Sequence, residues 1–330
     1  MQQTRRLRAP LFCCVPRAAD AGRVDIFLQQ VINGLTLGSV YAIVALGYTM
    51  VYGIIQLINF AHGEIVMIGA MVAFSVINAL GHSGLPPVLI VLAGVLAAIP
   101  ACMLVGYAME RVAYRPLRNA PRLAPLITAI GISIILQHVA LLIWSRNPLA
   151  FPQIIPFVTF SIGGAIISGV QIAIILTSLL MMAGLTLMVY RTKLGIAMRA
   201  TSQNPQVAGL MGIDIDRVIS FTFIVGAGLA AVAGVMVGTY YGIAHYGMGS
   251  LLGMKAFSAA VLGGIGNIAG AMLGGILLGV VEALGAGYIG DLTNNVFGSN
   301  YQDVFAFLVL IGVLVFRPSG LLGERVGDRA

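Results

Sequence analysis

The sequence predicts an all-α, polytopic membrane protein of about eight transmembrane helices, some of them discontinuous or re-entrant. Three observations predict it. The 330-residue chain is 59% hydrophobic and 9% charged, with a mean hydropathy of +1.00, whereas a soluble domain carries roughly 25% charged residues. Its apolar runs are about 20 residues or longer and show no alternation of period two, which selects helices over a barrel. Sixteen of the 18 basic residues fall in four clusters, at 5–23, 111–122, 191–217 and 317–329. Such clustering marks cytoplasmic loops, so the net charge of +7 does not imply nucleic acid. The 42 glycines suit helices that approach closely through small side chains.

Taken in order, the chain opens on MQQTRRLRAPLFCCVPRAADAGR, rich in Arg, Ala and Pro. It lacks the apolar core and cleavage site of a signal peptide. Residues 1–24 therefore read as a basic disordered tail. Their composition also fits a start-site artefact, with translation beginning near Val24; a native mass that includes Met1–Arg23 would exclude that idea. Apolar stretches follow at about 27–47, 58–80, 86–109, 124–145, 167–189, 218–242, 254–281 and 303–317. They define a membrane domain over 25–323, followed by a short cytoplasmic tail over 324–330.

Charge sets the orientation. With 111–122 and 191–217 inside, 146–166 and the 242–255 loop lie outside. A single crossing by 254–281 would put Arg317, Arg325 and Arg329 outside, against the rule. The conflict vanishes if this stretch enters and returns, broken near GGIGNIAG (263–270), where four of eight residues are glycine. The 282–302 segment, with Glu282 and Asp291, then faces outside. Counting backward puts Val24 outside, which disagrees with a basic cytoplasmic tail unless INFAHGE (58–64) is a second break.

INFAHGE places Asn59, His62 and Glu64 inside an apolar region, with Gly63 permitting an unwound backbone. Glu64 is the only carboxylate between Ile26 and Met109. Ionisable groups within the membrane face the bundle interior or a water-filled cavity, and broken helices offer free backbone groups to a ligand. The alternative is an interfacial turn in which Glu64 caps the next helix. His62 and Glu64, at i and i+2, do not share a helix face, so no metal site is expected. Gly266, Gly270 and Gly274, then Gly275 and Gly279, read as a helix-packing face. Lys255 reads as an interfacial snorkelling lysine. Arg111, Arg115, Arg118 and Arg122 read as contacts to membrane lipid.

The polar segment 191–217 lies between two stretches, 147–190 and 218–254, that contain no charged residue. A charge at mid-membrane costs roughly 2.5–3.5 kcal/mol even on a gentle scale, so this segment is a loop. Asn204 followed by Pro205 is a helix start, predicting a short helix from Pro205 to about Met211 that Gly212 ends in the left-handed conformation. Leu194 to Ser202 can form another. Val207, Ala208, Leu210 and Met211 then give an apolar face, which either packs on its own bundle or docks a cytosolic partner.

No phosphate-binding loop, zinc-protease motif or nucleophile elbow is present, and the three cysteines form neither a metal spacing nor a disulfide framework. No catalytic residue, cofactor or metal is expected. Active transport would draw its energy from a separate subunit or an ion gradient, and the near isolation of Glu64 favours a partner-driven permease.

NGLTLGSVYAIVALGYTMVYGIIQLINFAHGE (33–64), ERVAYRPLR (110–118), GIAMRATSQNPQVAGLMGID (195–214) and GMKAFSAAVLGGIGNIAGAMLGGILLGVVEAL (253–284) occur in the order of one family. Over roughly 25–323 the chain resembles the permease subunit of bacterial high-affinity branched-chain amino acid ABC transporters, the LivH type. The resemblance implies a multi-pass protein of the bacterial inner membrane and a transport subunit, not an enzyme. It implies as partners a second permease subunit of LivM type, two cytosolic ABC ATPase subunits and a periplasmic amino-acid-binding protein. It also implies a cytoplasmic coupling segment at 195–212 for ATPase docking, with Gly195, Arg199, Ala200, Asn204, Pro205, Ala208, Leu210 and Gly212 as its residues here. Asn59, His62, Gly63 and Glu64, and Gly264, Gly266 and Asn267, would lie near the translocation path in the two halves. Three alternatives stay open: the same architecture for urea or short amides, an ATPase-independent channel or carrier, and an intramembrane enzyme, which the absent constellation disfavours.

Overall fold

The computed structural model describes residues 18–118, 120–121, 123–153, 158–162, 164–292 and 301–323. The chain runs through α1 (Ala18–Ile55), α2 (His62–Leu80) and α3 (Pro87–Met109), the last passing into a π-helical turn at Glu110–Tyr114. Then come α4 (Leu123–Ile143), β1 (Leu149–Ala150), β2 (Thr159–Ile162), β3 (Ala165–Ser168) and α5 (Gly169–Arg191). Two short helices, α6 (Lys193–Gln203) and α7 (Pro205–Leu210), precede α8 (Ile215–Tyr241), β4 (Ile243–Ala244), α9 (Met248–Gly263), α10 (Ile268–Leu292) and α11 (Gln302–Phe316). Among the described residues, seven helices are long and apolar enough to cross a membrane, and α9 and α11 are shorter apolar helices. That agrees with the expected polytopic all-α class. The sequence reading missed two antiparallel two-stranded ribbons, β1 with β4 and β2 with β3.

Small residues set the architecture. Gly34 and Gly38 of α1 lie directly on the α10 backbone at Gly279, Val280 and Ile276, where a Cβ has no room. Gly69 of α2 lies against Ala231 of α8, and Gly106 of α3 against Ala227 and Phe223. Close approach through small side chains is how membrane helices gain packing energy when lipid is as apolar as the core. α1 and α8 are accordingly mostly buried within the chain, while α3, α4 and α5 leave most of their apolar surface outward. The glycines of α10 serve two partners: Gly270 and Gly274 close on α9, Gly275 and Gly279 on α1.

The molecule has two ends. At the basic end lie Arg115, Arg118, α6 and α7 and the segment 317–323, which holds Arg317. At the other end β1 pairs with β4, and Gln29 of α1 bonds the main chain of Ile166 in β3.

The expected break in 254–281 falls between α9 and α10, at Gly264–Asn267, where Gly264 and Gly266 take φ of 105° and 97°. This turn meets the C-terminal segment: Leu321 N donates to Leu262 O at 2.9 Å and Leu322 N to Gly263 O at 3.0 Å. The second break lies over 56–61, between α1 and α2.

Several expectations are corrected. Lys255 does not snorkel; it is buried and bonded to Glu282 and Asp303, each at 2.7 Å, because α10 and α11 bring both carboxylates to it. Glu282 is not external: α10 carries it within the apolar span Ile268–Ile289, and it is buried; residues 293–300 of the expected external segment lie outside the described residues. Arg115 and Arg118 do not reach for lipid; both pair with Asp216, and Arg118 also with buried Glu110, so this corner joins the π-helical turn to α8. α1 begins at Ala18, inside the segment read as a disordered tail. Residues 1–17, Arg122 and 324–330, with Arg325 and Arg329, lie outside the described residues.

Candidate functional site

The polar segment after α5 folds as two capped helices. Thr192 accepts from Gly195 N at 3.1 Å and starts α6; Asn204 Oδ1 accepts from Val207 N at 3.1 Å and starts α7, with Pro205 in its first turn. Gly212 follows α7 with φ of 85°, the left-handed stop its sequence suggested. Gly195 sits so close to the carbonyls of Met188 and Val189 that a Cβ would strike them, which fixes α6 to the end of α5. Ala208 is buried beneath α7 and Ala200 half-buried, while Leu210 is 87% exposed and Met211 79%. The apolar face thus splits into a foot that packs inward and a tip that does not.

Arg199 lies over the Tyr190 ring, 5.3 Å from its centroid. Together with Met198 and Ser202 it lines a cavity of about 80 Å³ whose other walls include Thr49, Gly53 and Gly266. One small space therefore brings α6, the end of α1 and the α9–α10 turn together. Within that turn Asn267 acts locally, since its Oδ1 accepts from Gly270 N at 3.1 Å and its Nδ2 donates to Leu322 O at 2.8 Å. Gly264 packs on Gly320 and Gly323.

The second cluster is the start of α2. His62 packs on Gly47 of α1, where a Cβ would overlap its ring. Gly47 lies about 12 Å, by helical rise, before the end of α1. The chain therefore climbs back from the α1 terminus before α2 begins, and the helix start is internal. Asn59, His62 and Glu64 are all buried. Asn59 Oδ1 accepts from Tyr114 Oη at 2.8 Å. Glu64 Oε1 accepts from Gln137 Nε2 at 2.7 Å and from Ser133 Oγ at 3.0 Å. Ser133 and Gln137 sit at mid-length on α4, so Glu64 lies at the mid-depth of a span-length helix. Gly63 touches Gly249 and Gly253 of α9, and the Tyr48 ring stands edge-on to His62 at 4.9 Å.

Among the described residues, Asn59 Nδ2, His62 Nε2 and Glu64 Oε2 have no hydrogen-bond partner, and no cation pairs with Glu64. The structure thus unites Asn59, His62, Gly63 and Glu64, and leaves Gly264, Gly266 and Asn267 at a different place, under α6. Sequence reasoning missed Ser133, Gln137, Tyr114 and Gly249. A signal existed for two of them: Ser133 and Gln137 are polar and four residues apart, in a span whose other polar side chains are Thr128 and His138.

Residues 30–314 match the family model described as branched-chain amino acid transport system, permease component. A protein named high-affinity branched-chain amino acid transport system permease protein BraD, from Pseudomonas aeruginosa, is 51% identical over 303 residues, covering 90% of this chain and 96% of its own. The protein of the same system name, LivH, from Escherichia coli is 46% identical over 304 residues, covering 90% and 96%. A protein named probable branched-chain amino acid transport permease LivH, from Methanocaldococcus jannaschii, is 28% identical over 313 residues, covering 91% and 94%.

Proposed function

The chain belongs to the branched-chain amino acid transport system permease family, and from that premise we propose that it is the membrane permease subunit of an ABC importer that moves leucine, isoleucine and valine into the cytoplasm. Energy comes from two separate ATPase subunits, so the chain itself carries out no chemistry. A second permease subunit completes the path, a periplasmic binding protein delivers cargo, and the assembly resides in the bacterial inner membrane.

The observation that carries this reading is the α6–α7 knob. A helix pair capped at both starts presents bare Leu210 and Met211 at the basic end, while α6 packs on α1 and lines one small cavity with the α9–α10 turn. A partner that pushes on the tip moves helices inside the membrane domain. In this reading Gly195, Arg199, Ala200, Asn204, Pro205, Ala208, Leu210 and Gly212 form the docking element. Asn59, His62, Gly63 and Glu64 border the path. Gly264, Gly266 and Asn267 form the turn that α6 works against.

The test is purification of the chain in mild detergent with identification of co-eluting proteins, followed by reconstitution with the binding protein. ATPases, a second permease and leucine uptake driven by ATP are expected. Arg199→Glu and Leu210→Asp should each abolish ATPase association while membrane insertion persists; normal transport in both would sink the docking assignment. Uptake of urea in place of leucine would redirect the substrate reading.

A further inference from the structure

We infer that Glu64 recognises the nitrogen end of the cargo, as a buried carboxylate that accepts from an ammonium group once α4 swings aside. The inference rests on the amino-acid reading above.

Three observations lead to it. First, Glu64 is ionisable, fully buried and at mid-depth, yet only half satisfied: Oε1 has two donors and Oε2 has none among the described residues. The other buried carboxylates behave differently. Glu110 faces Arg118, and Glu282 faces Lys255. Glu64 alone of these three lacks a cation.

Second, two helix starts converge on it. Glu64 lies in the first turn of α2, and its Oε2 lies against Gly249 in the first turn of α9. The N-terminus of a helix favours negative charge. Two of them, with two side-chain donors, favour negative charge at this carboxylate without supplying a counter-charge. A carboxylate inside a membrane protein that has no cation of its own marks a substrate or ion pathway by default. Branched-chain amino acids carry one such cation, on a body that is otherwise apolar.

Third, α4 is the element that can expose it. α4 packs on α2 and on the π-helical turn, and most of its surface faces outward. Two polar fastenings hold it to α2: Ser133 with Gln137 on Glu64, and Trp144 Nε1 donating to Ser75 Oγ at 2.6 Å. Ser133 and Gln137 are therefore both the guides of the carboxylate and the catch of the gate.

The experiment uses the complete transporter in proteoliposomes, supplied with saturating leucine-loaded binding protein. Leucine uptake and ATP hydrolysis are measured together, so that each variant gives leucine moved per ATP. Glu64→Gln keeps size and hydrogen bonding but removes the charge. It should assemble, hydrolyse ATP in response to loaded binding protein, and lose uptake by about tenfold or more, the worth of one charge-assisted hydrogen bond. Uptake equal to wild type would overturn the inference, as would a parallel fall in hydrolysis and uptake, which marks a merely structural group. If Glu64→Gln does not assemble, the double variant Ser133→Ala with Gln137→Ala decides. It leaves Glu64 in place and removes only its two donors on α4, and it should lower leucine per ATP; an unchanged ratio would overturn the inference. A wild-type complex that moves no leucine at all removes the amino-acid reading itself, an outcome distinct from any of these.

Discussion

The chain interrupts its apolar helices at 56–61 and again at 264–267, and the two breaks are finished in opposite ways. At the second, glycines supply the left-handed residues, Asn267 commits both ends of its amide to Gly270 and Leu322, and the C-terminal segment donates to the carbonyls of Leu262 and Gly263. At the first, a non-glycine residue, Gln56, holds φ of 55°, and Asn59, His62 and Glu64 each keep a buried polar atom without a partner among the described residues. Unpaired buried polar atoms are expensive and rare in native proteins. Among the described residues, the second break leaves no buried side-chain polar atom without a partner, and the first leaves three. The contrast separates a turn that serves structure from one that keeps polar capacity in reserve.

The comparison can be broken most severely at the glycines that close the second turn. Gly263 meets the Gly270 backbone with no room for a Cβ. Gly263→Val should therefore cost upwards of about 4 kcal/mol, in the range of severe overpacking, and folded protein should vanish from size-exclusion chromatography in detergent. Recovery of a normal peak would show that the hairpin is not a rigid unit.

Lys255 comes next. It serves Glu282 and Asp303, and Lys255→Met leaves two carboxylates without their cation. A loss of about 3–5 kcal/mol is expected, read as a fall in the thermal midpoint of the purified complex. Lys255→Met combined with Glu282→Leu should recover much of it. Failure of the double variant to recover would argue that the ion cluster does more than staple α9, α10 and α11.

Asn267→Ala removes a helix cap and a bond to Leu322, and should lower stability by about 1–2 kcal/mol. Leucine moved per ATP should stay unchanged, because the Asn267 amide is committed to Gly270 and Leu322 and not to the path. A fall in that ratio without a fall in stability would move Asn267 into the path.

Much of this was legible in the sequence, and the rest was hidden for identifiable reasons. Charge-free runs located the long helices, and Asn204-Pro205 with Gly212 located α7 almost to the residue, because capping is local. GGIGNIAG announced its break through glycine. The role of Lys255 was hidden, since its partners Glu282 and Asp303 are distant in sequence and a single lysine near a helix end ordinarily snorkels. Arg115 and Arg118 misled for the same reason: Asp216 lies roughly a hundred residues away, and only folding brings it to them. INFAHGE showed which groups are polar but not which are satisfied. That depends on Tyr114, Ser133 and Gln137, and no local pattern ties these to residues 59–64.

The smallest predicted effect tests the contrast at a single backbone angle. Gln56 and Gly266 both hold positive φ, but one is glutamine and the other glycine. A non-glycine residue in the left-handed region carries strain of about 1–2 kcal/mol, and glycine removes it while adding about 0.5–1 kcal/mol of unfolded-state entropy to be lost on folding. Gln56→Gly should therefore leave stability level or raise it by about 0.5–1 kcal/mol. Gly266→Ala meets no atom within 4 Å, so its whole effect is backbone strain, and it should lower stability by about 1 kcal/mol. Thermal midpoints of the two complexes should thus move apart from wild type, or one should move while the other stays. If both fall equally, Gln56 is held by side-chain contacts rather than tolerated, and the first break is as finished as the second. If Gln56→Gly raises the midpoint but lowers leucine per ATP, the strain at 56 belongs to the way the internal start of α2 is kept in place for cargo.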